Sequence, residues 1–159
     1  MQKYKKKIFF CIPNFNAGGA EQVMINLFKE FDDQNNILVT LNNEGPLISK
    51  IPTKRKLISL NCKKSKYSIL QFSRLFNREK PNVIISTMGY FNFIIMISIL
   101  FSNHRPNKII LREANTVSST ISINWVFKYL YKFLYNKADT VICNSKEIFD
   151  QLILFGVGK

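Results

Sequence analysis

The chain has 159 residues, 47% of them apolar, and 23 Lys and Arg against 10 Asp and Glu give it a formal charge of +13. Such a length and apolar content describe one domain with a core large enough to fold without disulfides or a structural metal. The three cysteines, Cys11, Cys62 and Cys143, are an odd number without C-x-x-C spacing, which argues against a disulfide framework and fits buried thiols in a reducing compartment. The charge predicts attraction to phosphate-rich partners (nucleotides, anionic lipid or nucleic acid) without choosing among them.

Met1 to Phe15 imitates a secretory signal, with Lys3, Lys5, Lys6 and Lys7 ahead of an apolar run. The run Ile8–Ile12 is shorter than the ~7–15 residues such a signal needs, and Pro13, Asn14 and Asn16 break the apolar character directly after it. It reads instead as a first strand. Gly18 and Gly19 then lead into a helix predicted over Ala20–Phe31, with an apolar stripe of Val23, Leu27, Glu30 and Phe31 together with Met24 and Phe28. Further strands are predicted at Ile37–Leu41, Leu57–Leu60, Val83–Ser86, Ile109–Leu111 and Thr140–Cys143, and helices at Ser68–Glu79, Phe91–Phe101, Trp125–Asn136 and Lys146–Phe155. Gly45, Pro46 and Pro52 leave room between the second and third strands for one helical turn at Leu47–Ile51. The run Phe91–Phe101 falls short of the about 18–20 residues that span a bilayer. Strands apolar on both sides, alternating with amphipathic helices, predict an α/β fold: a three-layer, Rossmann-like parallel sheet with helices on both faces. No repeat or linker divides residues 1–159, so they are expected to form a single domain.

In such a sheet ligands bind outside the carboxyl ends of the strands, which selects the loops Asn14–Glu21, Thr87–Asn92, Arg112–Thr116 and Asn144–Glu147. The Gly18-Gly19 pair lets the backbone turn tightly and approach an anion at a helix start, and equally makes an ordinary ligand-free turn. It matches neither G-x-G-x-x-G nor G-x-x-x-x-G-K-[ST]. Glu21 in the first helical turn stabilises the helix dipole, or accepts hydrogen bonds from sugar hydroxyls if a ligand approaches. Asn144 or Ser145 is the expected N-cap of the last helix, with Glu147 completing a capping box to Asn144; this gives a second helix start on the same edge, able to share one anion with the first. Arg112, Glu113 and Asn115 gather a cation, a carboxylate and an amide at a buried strand end, a costly arrangement unless they pair or meet a ligand. Adjacent strand residues point to opposite faces, so an Arg112–Glu113 ion pair is not expected. His104 lies at the opposite edge in a polar turn and is expected at the surface. On the helix from Trp125, Lys128 and Lys132 share one face and Phe127, Leu130, Tyr131 and Leu134 another. That pattern suits either an ordinary sheet-packed helix or a basic amphipathic helix lying on an anionic membrane. Paired glycosidase-like carboxylates, a Cys/His metal cluster and a G-x-S-x-G elbow are all missing, so the chain does not read as a self-sufficient hydrolase. No nucleic-acid-binding motif is readable either.

Taken in order, Pro13-Asn14-Phe15-x-x-Gly18-Gly19-Ala20-Glu21-Gln22-Val23, Lys80-Pro-Asn-Val-Ile-Ile85, Arg112-Glu113-Ala114-Asn115, Ala138-Asp-Thr-Val-Ile-Cys-Asn-Ser145 and Phe155-Gly-Val157 resemble the N-terminal domain of a retaining family 4 glycosyltransferase of GT-B fold, over essentially the whole chain. The resemblance implies transfer of a sugar from a nucleotide-sugar donor to a cell-surface glycan or lipid-linked saccharide, with the acceptor held by this domain and the donor mainly by a C-terminal domain expected beyond Lys159. It implies that Gly18, Gly19 and Ser145 lie near the donor, that Asn16, Glu21, Arg112 and Asn115 contact the acceptor, and that Glu113 is the catalytic position, where many relatives carry a histidine. No cofactor, metal or nucleic acid is called for. The expected location is the cytoplasm, at the inner face of the cell membrane, and this chain by itself is expected to be inactive. The rival reading is a non-catalytic basic α/β module that binds anionic membrane or a protein partner.

Overall fold

The structure, a computed structural model, describes residues 6–31, 33–62, 67–115 and 125–158; residues 1–5, 63–66, Thr116 and the side chain of Phe127, which belong to segments read from the sequence, lie outside them. In chain order the elements are β1 (Ile8–Ile12), α1 (Gly19–Glu30), β2 (Ile37–Thr40), a 3₁₀ turn (Pro46–Lys50), β3 (Lys56–Ser59), α2 (Ser68–Glu79), β4 (Val83–Thr87), α3 (Gly89–Leu100), β5 (Lys108–Glu113), α4 (Trp125–Tyr135), β6 (Thr140–Cys143) and α5 (Lys146–Leu154).

The six strands form one parallel sheet in the order β3-β2-β1-β4-β5-β6. From β1 the chain first steps outward through β2 to β3, then returns past β1 and continues through β4, β5 and β6. Right-handed crossovers therefore put α1 and the 3₁₀ turn on one face and the remaining helices on the other. The core divides accordingly. Phe10, Ile12, Met24, Ile25, Phe28 and Leu38 are buried beneath α1, while Phe9, Cys11, Phe72, Phe76, Phe91 and Leu111 fill the layer beneath α2 and α3. Edge-to-face ring pairs close both layers, Phe10 on Phe28 at 5.5 Å and Phe72 on Phe91 at 5.7 Å. Each fully buried Phe contributes about 1.5–3 kcal/mol by leaving water.

The amino edge of the sheet is held by side chains that bond backbone. Asn36 accepts from the Ile8 N–H and donates to the Phe31 carbonyl, Asn82 accepts from the Lys7 N–H, and Asp139 accepts from the Ile109 N–H. His104 sits at this edge as expected, but it is half-buried rather than free at the surface, its Nε2 being 2.8 Å from the Pro81 carbonyl. Among the described residues no disulfide links the three cysteines, of which Cys11 and Cys62 are buried and Cys143 partly so. Among the described residues no helix is long and apolar enough to cross a membrane.

Two local expectations change. Helix α1 buries Glu21, Met24, Ile25 and Phe28, the i, i+3, i+4, i+7 line, whereas Val23, Leu27 and Phe31 are substantially exposed and Glu30 faces water. The stripe is thus rotated toward Ile25, with the Glu21 carboxylate at its head. In α5 the N-cap is Ser145, whose Oγ accepts from the Ile148 N–H at 3.3 Å. Ile148 occupies the position where a capping-box Glu would stand, so Glu147 closes no box with Asn144.

Candidate functional site

The strand order reverses between β1 and β4, and the helices that follow these two neighbours leave on opposite faces. Their first turns, Gly18 to Glu21 and Met88 to Asn92, therefore flank one crevice at the carboxyl edge.

On the α1 side the loop after β1 is fixed before the glycines arrive. Phe15 donates to the Glu44 carbonyl at 2.7 Å and accepts from the Leu47 N–H at 3.0 Å. Gly45, at φ +119°, permits that approach, since a Cβ there would overlap the Phe15 backbone. The Asn14 side chain turns the chain by accepting from the Asn16 N–H at 3.0 Å, leaving Asn16 exposed. Gly18 is the N-cap and offers no side chain to the helix. Its carbonyl accepts from Gln22, and the N–H groups of Gly19, Ala20 and Glu21 meet no acceptor among the described residues. The two glycines differ. A Cβ on Gly18 would collide with the Glu21 carboxylate, which folds back over it, whereas a Cβ on Gly19 would meet nothing within 4 Å. Glu21 is only 5% exposed and forms no hydrogen bond or ion pair with the described residues.

On the α3 side, Met88 takes a left-handed conformation, φ 77°, and starts the helix at Gly89. The Glu113 carboxylate lies over that glycine, both oxygens 3.1 Å from where a Cβ would stand. Glu113 is 1% exposed. Its Oε2 accepts from the hydroxyls of Tyr131 and Tyr135 on α4, each at 2.5 Å, and the two rings stack at 4.1 Å. Asn92 extends the network, its Nδ2 donating to the Tyr135 hydroxyl and to the Arg112 carbonyl, both at 3.1 Å. Burial raises both phenol pKa values, and the charge of Glu113 raises them further. The same two causes, in the same order, raise Cys143, which stands beside Glu113 in register on β6. Arg112 points to the other face, as alternation requires, and donates from Nη1 to Thr87 Oγ1 at 3.1 Å. Burial lowers its pKa and the charge of Glu113 works against that. Asn115 is exposed, two residues past β5.

Sequence reasoning missed Tyr90. It is the second residue of α3, 42% exposed at the crevice, and its phenol is shifted upward by burial first and by the charge of Glu21 second. Its signal was present in the sequence, since it directly follows the glycine in the loop after a buried strand.

Ser145 is exposed on the same edge but follows β6, three strand spacings from β1, or about 14 Å. One anion therefore does not bridge the two helix starts, although an extended ligand can reach both. Lys128 and Lys132 are exposed on α4, the former with its Nζ 5.4 Å from the Phe155 ring centre and the latter alongside Gly156. On the same helix Trp125, Tyr129 and Phe133 recur at i, i+4 and i+8 and are exposed, Trp125 by 78%. A cavity of about 390 Å³ lies away from the crevice, along the outer edge of β6 between Tyr135, Val141, Phe149 and Leu152. Among the described residues no group of three or more His, Cys, Asp or Glu is placed to hold a metal.

A parallel sheet with helices on both faces, reversing at β1–β4, defines a Rossmann-like domain of the kind that forms one half of a GT-B protein. The model of Glycosyltransferase Family 4 matches residues 17–159, and the chain belongs to that family. The match takes in the glycine turn and every element from α1 to α5. Among solved structures the chain is similar to a lipopolysaccharide outer core galactosyltransferase, WaaB, in its apo form. That likeness has a TM-score of 0.70 at 15% identity and covers 97% of this chain and 43% of the other. It is a likeness of fold, and this chain spans less than half the length of that protein. No curated protein sequence matches.

Proposed function

We propose that this chain is the acceptor-binding half of a retaining glycosyltransferase, which moves a sugar from a nucleotide-sugar to a cell-surface glycan or lipid-linked saccharide. The observation that carries the reading is Gly19. Neither a left-handed backbone nor a packing contact demands glycine there, and a Cβ would stand in open space. What the missing side chain provides is access to three N–H groups that meet no acceptor among the described residues, at the positive end of α1 and at the reversal point of the sheet. A donor diphosphate leaving toward those N–H groups is stabilised as its charge develops, and can take the acceptor proton on the same face of the sugar.

In this reading Gly18 and Gly19 line the diphosphate side of the crevice and Ser145 lies farther along the same edge. Asn16, Glu21, Arg112 and Asn115 face the acceptor. Glu113, expected at the reacting sugar, is held by two tyrosines and acts through the start of α3 beside Gly89. The donor is bound mainly by a second domain, as the greater length of the galactosyltransferase structure supports. The exposed aromatic and lysine face of α4 supports seating at the inner, anionic face of the cell membrane.

The test is a titration of the chain with UDP. Gly19→Asp sets a negative charge and bulk over the free N–H groups, and since nothing crowds that position the fold should tolerate it. A loss of affinity of about tenfold or more, at an unchanged melting temperature, is the expected result, corresponding to about 1.4 kcal/mol. Equal affinity of variant and parent removes the glycine turn from the site.

A further inference from the structure

We infer that the α1 side of strands β4, β5 and β6 is a docking groove for one amphipathic helix of a partner protein, apolar along one side and acidic where it passes Lys108. The inference goes beyond the sugar-transfer reading, since the groove uses neither glycine of the crevice and its failure leaves UDP binding at Gly19 untouched.

A parallel sheet normally buries both faces, yet this one covers them unequally. Helices α2 to α5 all pack on one face, whereas among the described elements only α1 and the 3₁₀ turn pack on the other, centred on β1 and β2. Burial on that second face falls strand by strand. Phe10 on β1 is closed off at 0% exposure, Ile85 on β4 and Ile110 on β5 are partly open, and Ile142 on β6 is 45% exposed. The wall of the groove is α1. Its Gln22 flank is turned toward the 3₁₀ turn, where Gln22 accepts from Lys50 Nζ at 2.6 Å. The opposite flank, with Val23, Leu27 and Phe31 exposed, therefore looks out over β4, β5 and β6. This is the apolar stripe that the periodicity of α1 predicts and that the core does not use.

The space has the width of a helix. β6 lies three strand spacings from β1, about 14 Å, and a helix packed beside α1 has its axis about 8–10 Å away, which sets it near β5. Extending this sheet does not supply that helix. Right-handed crossovers beyond β6 keep their helices on the α2–α5 face, and the chain after α5 is tied to that face, where Asn136 bonds the Gly156 carbonyl and the Gly158 N–H, each at 2.9 Å. Charge decides against a second copy. The groove positions of β4, β5 and β6 include Lys108 and Arg112 and no acidic residue, and Lys108 is exposed and in no ion pair with the described residues. Two copies laid face to face set these cations, and the +13 charge of each chain, against one another. A helix with glutamate or aspartate in its first turn meets Lys108 with the opposite sign, and that turn is where its own dipole favours acid.

Fluorescence anisotropy on the full chain tests this with a labelled amphipathic peptide of about 14 residues, which carries leucines along one side and glutamates in its first turn, beside a copy with lysines in place of the glutamates. The acidic peptide should bind at least about tenfold more tightly than the basic one. Ile142→Lys and Leu27→Lys place a charge on the floor and on the wall. Each should weaken binding of the acidic peptide about tenfold or more, although both add to the positive charge of the chain. Leu70→Lys and Leu154→Lys, at exposed apolar positions elsewhere, should leave it within about twofold. Thermal melts identify a variant that fails to fold, and since floor and wall lie on different elements, the remaining one decides. No binding, equal binding of the two peptides, or an affinity that survives both Ile142→Lys and Leu27→Lys overturns the groove. A chain that sediments as a dimer, and as a monomer in Ile142→Lys, assigns the face to a second copy and overturns the partner helix.

Discussion

The two tyrosines that bind Glu113 make a sharp case for measurement, because Tyr→Phe removes a hydroxyl while keeping the stacked ring. Tyr135 donates to Glu113 Oε2 at 2.5 Å and accepts from Asn92 at 3.1 Å. A hydrogen bond to a charged group contributes about 1.5–3 kcal/mol. The Asn92 amide keeps its bond to the Arg112 carbonyl, so its loss adds little. Tyr135→Phe should therefore cost about 2–3 kcal/mol, and Tyr131→Phe about 1.5–3 kcal/mol. In a domain of this size that is a fall of roughly 4–10 °C in melting temperature. In the Glu113→Gln background the acceptor is neutral and each hydroxyl should be worth only about 0.5–1.5 kcal/mol. The double-mutant cycle, read by urea unfolding, should thus return a coupling of about 1 kcal/mol or more. A Tyr135→Phe protein within about 0.5 kcal/mol of the parent, or an equal cost in both backgrounds, refutes the reasoning.

Two further expectations concern charge at the periphery. Glu79 is bonded by Lys7 at 3.2 Å and Lys56 at 3.4 Å. Burial alone pushes its carboxyl up, but the Lys7 hydrogen bond and the Lys56 charge outweigh that, and the pKa is lowered from its ordinary 4.5. A lowered folded-state pKa means stability that is fully present above the unfolded value and lost as pH falls through the folded one. Glu79→Gln should accordingly cost about 0.5–1 kcal/mol, given two partly exposed lysines, at a level constant from neutral pH down to about 4.5 and vanishing in more acid solution. Urea midpoints at several pH values check this, and a pH-independent cost counts against the pairing. On α4, Lys128→Gln with Lys132→Gln should weaken partition onto anionic phosphatidylglycerol vesicles about thirtyfold at low salt, from about 1 kcal/mol per lysine. Unaltered partition in a sedimentation assay counts against membrane seating through that face.

Most of the architecture is legible in the chain because parallel strands buried on both sides read as unbroken apolar runs, and the helices between and after them, apart from the almost uniformly apolar α3, carry a clear 3.6-residue stripe. Helix Ser68–Glu79 and strand Thr140–Cys143 stand where the pattern puts them. What periodicity cannot choose is between two adjoining stripes on one helix. In α1 the lines 23–27–31 and 24–25–28 are both apolar, and the second is the one that packs with Phe10, Ile12 and Leu38 of the sheet, Phe28 edge-to-face on Phe10. Tyr90 escapes sequence reasoning for a related reason. The expected helix starts at Phe91, but Met88, at positive φ, completes the turn and lets Gly89 open the helix two residues sooner. The partners of Glu113 are out of reach altogether, being residues 18 and 22 positions later on another element.

The crevice holds one arrangement twice, with opposite results. At each of two adjacent strand ends a helix begins at a glycine, and at each a carboxylate from the protein lies against a glycine of that first turn: Glu21 over Gly18, Glu113 over Gly89. A ligand-free scaffold has reason to neutralise both. It does so for Glu113, through a pair of tyrosines from α4 that seal it at 1% exposure. It does not for Glu21, which has no hydrogen-bond donor among the described residues and whose oxygens are not among the buried atoms left without a partner. Packing accounts for the position of the first carboxylate, since its removal leaves two buried hydroxyls without their acceptor. The second therefore needs no ligand to satisfy it, and the open position beside it is Gly19. That asymmetry, rather than the glycine pair alone, is why a ligand is assigned to the open start of α1 at Gly19 and not to the start of α3, which Glu113 closes.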